Sequence, residues 1–169
     1  EQKEVRNNYN EMAVYVAEES EKKRLFSLRF RVFNDGVAFR YEVPPQPSFQ
    51  RIIIEDELTE FNVDLNGQAW RIPAYQATKY ELNYEKWPVY ELRDAVHTPL
   101  TIETNANKYL AIHEAALYNY GSMTLKLNQD KRLQADITPL SDGVKAYVDL
   151  PFNSPWRVIY VADSAIELT

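Results

Sequence analysis

The chain has 169 residues, a length that suits one globular domain and leaves no room for a second full one. Hydrophobic residues make up 45% of it, charged residues 26% and glycine only four positions, which excludes collagen-like, low-complexity and disordered classes. Nineteen Lys and Arg against 25 Asp and Glu leave a net charge of −6, which repels a phosphate backbone, so nucleic acid is not an expected partner.

The chain opens with Glu1-Gln2-Lys3-Glu4 and shows neither an initiator Met nor the apolar stretch of a signal peptide, so it reads as a processed or partial product. Between Tyr9 and Ser20 two patterns compete. Tyr9, Met12, Val16 and Glu19 can share a helical face, while Val14 and Val16 alternate with Tyr15; the alternation favours a strand. Lys22-Lys23-Arg24 is the nearest approach to a basic cluster. Glu18, Glu19 and Glu21 precede it and cancel its field at close range, so a solvated turn is expected.

From Leu25 onward the period is two. Phe26, Leu28, Phe30 and Val32 fall on one side of an extended segment, and Ser27, Arg29 and Arg31 on the other. Asn34-Asp35-Gly36 then supplies a turn in which Gly36 can take positive φ, and Val37, Phe39, Tyr41 and Val43 resume the alternation as the second arm of a hairpin. Pro44, Pro45 and Pro47 end that arm, because proline cannot donate to a ladder. Further strands are expected at Arg51 to Ile54, Thr59 to Leu65, Gln68 to Ile72, Leu100 to Thr104, Tyr109 to Tyr118, Ser122 to Leu127, Val144 to Val148 and Arg157 to Ala162. Asn66-Gly67 reads as a two-residue hairpin turn between the second and third of these. Many short strands without sustained helical periodicity predict an all-β, antiparallel β-sandwich forming a single domain over 1–169.

The chemistry-bearing motifs are mostly exclusions. There is no cysteine, which removes disulfides, thiolate metal sites and thiol catalysis. No apolar run approaches the ~20 residues that cross a bilayer, so a soluble protein without a membrane partner is expected. Asn62-x-Asp64-x-Asn66-Gly67 begins like a calcium loop, but its twelfth position is Pro73 where a bidentate Glu is required. His113-Glu114 lacks the second His of the zinc-protease motif, since Leu117 stands there. No phosphate loop, nucleophile elbow or dinucleotide fingerprint is present. Acidic residues such as Glu55, Asp56, Glu57 and Glu60 are numerous and read as solubilising. Twelve tyrosines and three tryptophans, Trp70, Trp87 and Trp156, can stack on sugars or fill a sandwich core; core filling is the commoner use.

One residue stands out. On an extended chain Leu110, Ile112, Glu114 and Ala116 share one side, and Tyr109, Ala111, His113 and Ala115 the other. Glu114 therefore sits in an apolar row, where a desolvated carboxylate costs several kcal/mol unless it is protonated, ion-paired or bound to a metal. An Arg from a neighbouring strand, or solvent near a strand end, would meet that need without any metal.

Three segments carry a resemblance to a known family. Arg29-Phe30-Arg31-Val32-Phe33-Asn34-Asp35-Gly36-Val37-Ala38-Phe39-Arg40-Tyr41, Ile112-His113-Glu114-Ala115-Ala116-Leu117 and Ser154-Pro155-Trp156-Arg157-Val158-Ile159 resemble, in order and spacing, the N-terminal domain of glycoside hydrolase family 97. The early Val5-Arg6-Asn7-Asn8-Tyr9-Asn10-Glu11 is similar as well, so the likeness covers nearly the whole chain. The resemblance implies a super-β-sandwich of the galactose-mutarotase-like kind, of which this sequence resembles the later portion and lacks upstream strands. It also implies a catalytic (β/α)₈ barrel as partner, carrying the catalytic carboxylates, and an oligosaccharide as substrate of the parent enzyme, an exo-acting α-glucosidase or α-galactosidase. No catalytic residue is then expected in this chain.

By the same resemblance Glu114 reaches a calcium ion at the barrel's active site, joined there by glutamates of the barrel, and the parent protein is periplasmic or exported. Calcium takes six to eight oxygens, so one carboxylate cannot hold it alone. Missing upstream strands would leave an unpaired sheet edge, which invites self-association. Two further readings stay open beside this one: a free-standing carbohydrate-binding module, and a structural interaction domain recognisable by a large exposed apolar face.

Overall fold

The computed structural model describes residues 7–76 and 81–168. Val5 and Arg6, which open the first family-like segment, lie outside the described residues. Every ladder among the described residues is antiparallel. The large sheet runs in the order β1 (Asn10–Ala17), β2 (Leu25–Phe33), β3 (Gly36–Val43), β15 (Trp156–Ala162), β10 (Tyr109–Ala115), β9 (Leu100–Glu103), β6 (Gln68–Arg71) and β7 (Glu85–Pro88), with β14 (Phe152–Asn153) also on β3. A four-stranded sheet runs β5 (Glu60–Phe61), β12 (Leu133–Ile137), β11 (Met123–Leu127) and β8 (Val96–His97), and β13 (Ala146–Asp149) pairs with β4 (Arg51–Ile54) as a ribbon.

The two larger sheets share one core. Ala69, Leu100, Ile102 and Ile112 of the first meet Met123, Leu125, Leu133 and Ile137 of the second, all of them fully or almost fully buried. Alternation along β9, β11 and β12 sends every second side chain into that layer, which is the antiparallel sandwich the sequence predicts. The ambiguous first segment is a strand, ending at Ala17, because Met12 pairs with Phe30 and Val14 with Leu28. Its apolar side is poorly covered: Met12, Val14 and Val32 are 57%, 39% and 51% exposed. Among the described residues the strand has a neighbour on one side only, so β1 ends the described sheet.

Several expectations need correcting. Asn66-Gly67 does not close a hairpin, since β5 pairs with β12 while β6 pairs with β7 and β9. The turn is instead fastened by Asp64, whose Oδ1 accepts the Asn66 N–H and whose Oδ2 accepts the Asn105 N–H. The strand expected over Thr59 to Leu65 contracts to two residues, and β10 stops at Ala115 because Ala116 adopts a left-handed φ of 54°. Gly36 does not use positive φ. Its role is close approach, because a Cβ there would collide with the Ile159 carbonyl oxygen on β15. β7, β8, β12 and β14 are additional strands.

Candidate functional site

The register of β10 against β15 sets Glu114 directly opposite Arg157, and that of β15 against β3 sets Arg157 opposite Phe39. Residues directly opposite in an antiparallel pair share a face, so the carboxylate and the guanidinium both point into the core layer that holds Ile112 and Ile159. The apolar row containing Glu114 is thus real, and the group that meets the carboxylate is an arginine from the neighbouring strand. Arg157 Nη1 donates to Glu114 Oε2 at 2.8 Å, and the Met123 N–H donates to Glu114 Oε1 at 3.0 Å. Burial of Glu114 is accounted for by this pair without a metal.

Arg157 is 0% exposed and holds a second carboxylate. Its Nε and Nη2 donate to the two oxygens of Glu57 at 2.8 and 2.6 Å, the fork-on-fork geometry that suits a planar guanidinium. Glu57 lies in the coil between β4 and β5 and is 6% exposed, so it departs from the solubilising role read for its acidic neighbours. Thr59 Oγ1 donates to Glu57 Oε1 at 2.8 Å and Tyr120 Oη to Glu57 Oε2 at 3.1 Å; with the Thr59 hydroxyl hydrogen so engaged, Tyr41 Oη donates to Thr59.

The electrostatics follow from this packing. Burial pulls the Arg157 pKa down, but the hydrogen bonds and charge of Glu57, together with the charge of Glu114, carry it above its ordinary value. Burial, then the charge of Glu57, pushes the Tyr120 phenol well up, and burial raises Tyr41. Both hydroxyls stay protonated donors at neutral pH. One arginine between two carboxylates leaves a formal net charge of −1.

The two carboxylates are used unequally. An ionised carboxylate offers about four lone-pair sites. Among the described residues Glu57 accepts four hydrogen bonds, which saturates it, whereas Glu114 accepts one on each oxygen, half its capacity. Glu114 lies near the end of β10, and Ala115, Ala116, Leu117 and Tyr118 that follow it are exposed; Glu57 is likewise flanked by exposed residues, Asp56 and Leu58. Among the described residues no group of three or more His, Asp or Glu side chains could hold a metal ion. Among the described residues a calcium ion would therefore find at most the one free-sided carboxylate of Glu114 and not a complete ligand set.

The other candidates fall elsewhere. His113 points to the opposite side of the sheet, paired with Val158, and its Nδ1 is buried without a hydrogen-bond partner. Two guanidinium groups stand over the Trp156 ring, Arg31 and Arg40 at 4.6 and 4.5 Å from its centre. Arg71 sits 4.0 Å over Trp87 and Lys86 5.1 Å over Trp70, so all three indoles carry a cation on the ring. Arg24 makes a two-pronged pair with Glu18, in keeping with the cancelled charge read for that turn.

Comparison with known proteins gives a consistent outcome. The family model described as Glycosyl-hydrolase 97 N-terminal matches residues 1–169. A Glycoside Hydrolase Family 97 enzyme from Pseudoalteromonas sp. strain K8, solved in complex with acarbose, superposes with a TM-score of 0.91 at 39% identity, over 97% of this chain and 25% of that one. A variant enzyme of the same description and strain, in complex with panose, gives the same four values. A beta-arabinopyranosidase superposes with a TM-score of 0.81 at 22% identity, over 94% of this chain and 28% of that one, a likeness of fold alone. The chain spans about a quarter of the length of these solved relatives.

Proposed function

Since the chain belongs to glycoside hydrolase family 97 as sequence of its N-terminal domain, we propose that it is the non-catalytic β-sandwich portion of a calcium-dependent, exo-acting glycosidase. In that enzyme it packs on the catalytic domain and Glu114 contributes one ligand to a calcium ion at the active site. The observation that carries the reading is the half-used carboxylate of Glu114 in a triad of net charge −1, at the end of a strand and beside a surface loop. A divalent cation is the counter-charge such a group still accepts, and its remaining oxygens must come from the catalytic domain. When bound, calcium supplies positive charge that can polarise or orient a sugar oxygen. The part of this chain is to hold one carboxylate oxygen pair in a fixed place.

Leu117 and Tyr118, exposed just beyond Glu114, offer the catalytic domain an apolar surface at that end. Panose is a glucose trisaccharide, and its complex with the similar enzyme favours the α-glucosidase type over the α-galactosidase type. A periplasmic or exported location, oligosaccharide substrates and self-association of the isolated chain belong to the same proposal. In the full-length enzyme, Glu114→Ala should cut calcium affinity and glycosidase activity together. Activity that stays unchanged in calcium-free buffer for both proteins would refute the reading. Titration of the isolated chain with maltose and melibiose should give no saturable heat, which separates it from a free-standing carbohydrate-binding module.

A further inference from the structure

We infer that Glu57 is a positioning residue that keeps Glu114 available to a cation: by neutralising Arg157 with a saturated two-pronged pair, it stops the arginine from cancelling the charge of Glu114. This rests on the reading of Glu114 as a calcium ligand. Arg157 has the shape to clamp either carboxylate, and the structure divides it unequally. The Nε–Nη2 edge goes to Glu57, and only Nη1 reaches Glu114. Glu57 is locked in that share by Thr59 and Tyr120, which take its other lone pairs. Glu114 is locked too, by the Met123 N–H on one oxygen and Arg157 on the other, so its remaining lone pairs keep one direction.

Charge is the quantity at stake. With Glu57 ionised the triad totals −1 and attracts a divalent ion. With Glu57 made neutral the total becomes 0, and Arg157 is left facing Glu114 as its sole counter-charge. At the short separations of a shared guanidinium in a partly desolvated site, one unit charge against a divalent ion is worth at least about tenfold in affinity.

The test is a calcium titration of the metal-free full-length enzyme by calorimetry, with the unfolding midpoint recorded without calcium. Glu57→Gln should weaken calcium binding about tenfold or more. The double variant Glu57→Gln with Arg157→Gln restores the total to −1 and should return affinity to within about threefold of the parent. Tyr120→Phe thins the hydrogen bonds on Glu57 without touching its charge, and should lower the metal-free midpoint while moving calcium affinity by less than about threefold.

Glu114→Gln distinguishes the two levels. Unchanged calcium affinity in that variant would overturn the calcium reading itself. A loss there, with Glu57→Gln within about twofold of the parent or the double variant still weakened tenfold, would overturn only the role given to Glu57. A tenfold loss in Tyr120→Phe would also overturn it, because Glu57 would then act through packing. Should Glu57→Gln fail to fold, the double variant decides by the same thresholds.

Discussion

Glu57 and Arg157 stand 100 residues apart in the chain and meet in the core through two parallel hydrogen bonds, at 2.8 and 2.6 Å. The contact ties the coil that precedes β5 in the smaller sheet to a central strand of the larger one. A buried pair of this kind adds little net stability compared with apolar residues of the same shape, since desolvating the charges offsets their attraction, but breaking it leaves charge stranded.

Arg157→Met should therefore cost about 3–5 kcal/mol in urea denaturation, because it leaves Glu57 and Glu114 buried without their counter-charge. Replacing all three together, Glu57→Leu, Arg157→Met and Glu114→Leu, should recover most of that loss. If the single variant lost less than about 1 kcal/mol, the carboxylates would have found another partner and the triad would not be the electrostatic unit described.

Acid should weaken the first three strands through Glu42. Arg29 above all holds its carboxyl down, from 4.5 to about 2, with Arg40 adding to the effect. A carboxyl depressed in the folded state stabilises above its unfolded pKa and loses that contribution as pH falls through the folded one. The window is thus about pH 4.5 to 2, with a contribution of about 1–2 kcal/mol after solvent screening. Glu42→Gln should flatten the stability profile across that window; a profile as steep as the parent's would assign the acid sensitivity elsewhere.

Gly36→Ala should destabilise by about 1–3 kcal/mol, since the added Cβ would press on the Ile159 carbonyl and part β3 from β15. Amide hydrogen exchange along β3 and β15 should accelerate with it. Unaltered exchange there would mean that the close approach is not needed.

The uncovered side of β1 and β2 predicts that the isolated chain associates. Sedimentation at rising concentration should show a growing dimer or larger species, reduced by Met12→Lys with Val14→Lys, which charge the exposed apolar row. A chain that stays monomeric at high concentration, with both residues native, would contradict this.

Much of the architecture was legible because the long strands are amphipathic. The alternations in β2 and β3 each persist for seven residues, long enough for a period of two to be read. Strands β5, β8 and β14 have two residues each and cannot display a period at all. β12 is different, because Leu133, Ala135 and Ile137 do alternate and all bury; that signal was present in the sequence and marks the strand. The Asn66-Gly67 turn misleads because turn chemistry specifies a local bend and says nothing about which strands pair afterwards.

The candidate site was half legible. Glu114 declares itself by standing in an apolar row, whereas Glu57 has no local mark that separates it from Glu55, Asp56 and Glu60. Its role is set by a guanidinium 100 residues away, a relation that no window along the chain contains.

The triad also restricts how this sequence can drift. An exchange at any one of Glu57, Arg157 or Glu114 strands at least one partner in the interior, so a lineage cannot cross these positions by single harmless steps. Escape requires compensating changes in elements far apart in the gene, and recombination between diverged copies would tend to break the set. Chimeras of related domains joined between β5 and β15 should accordingly fold only when both halves bring matching members of the trio.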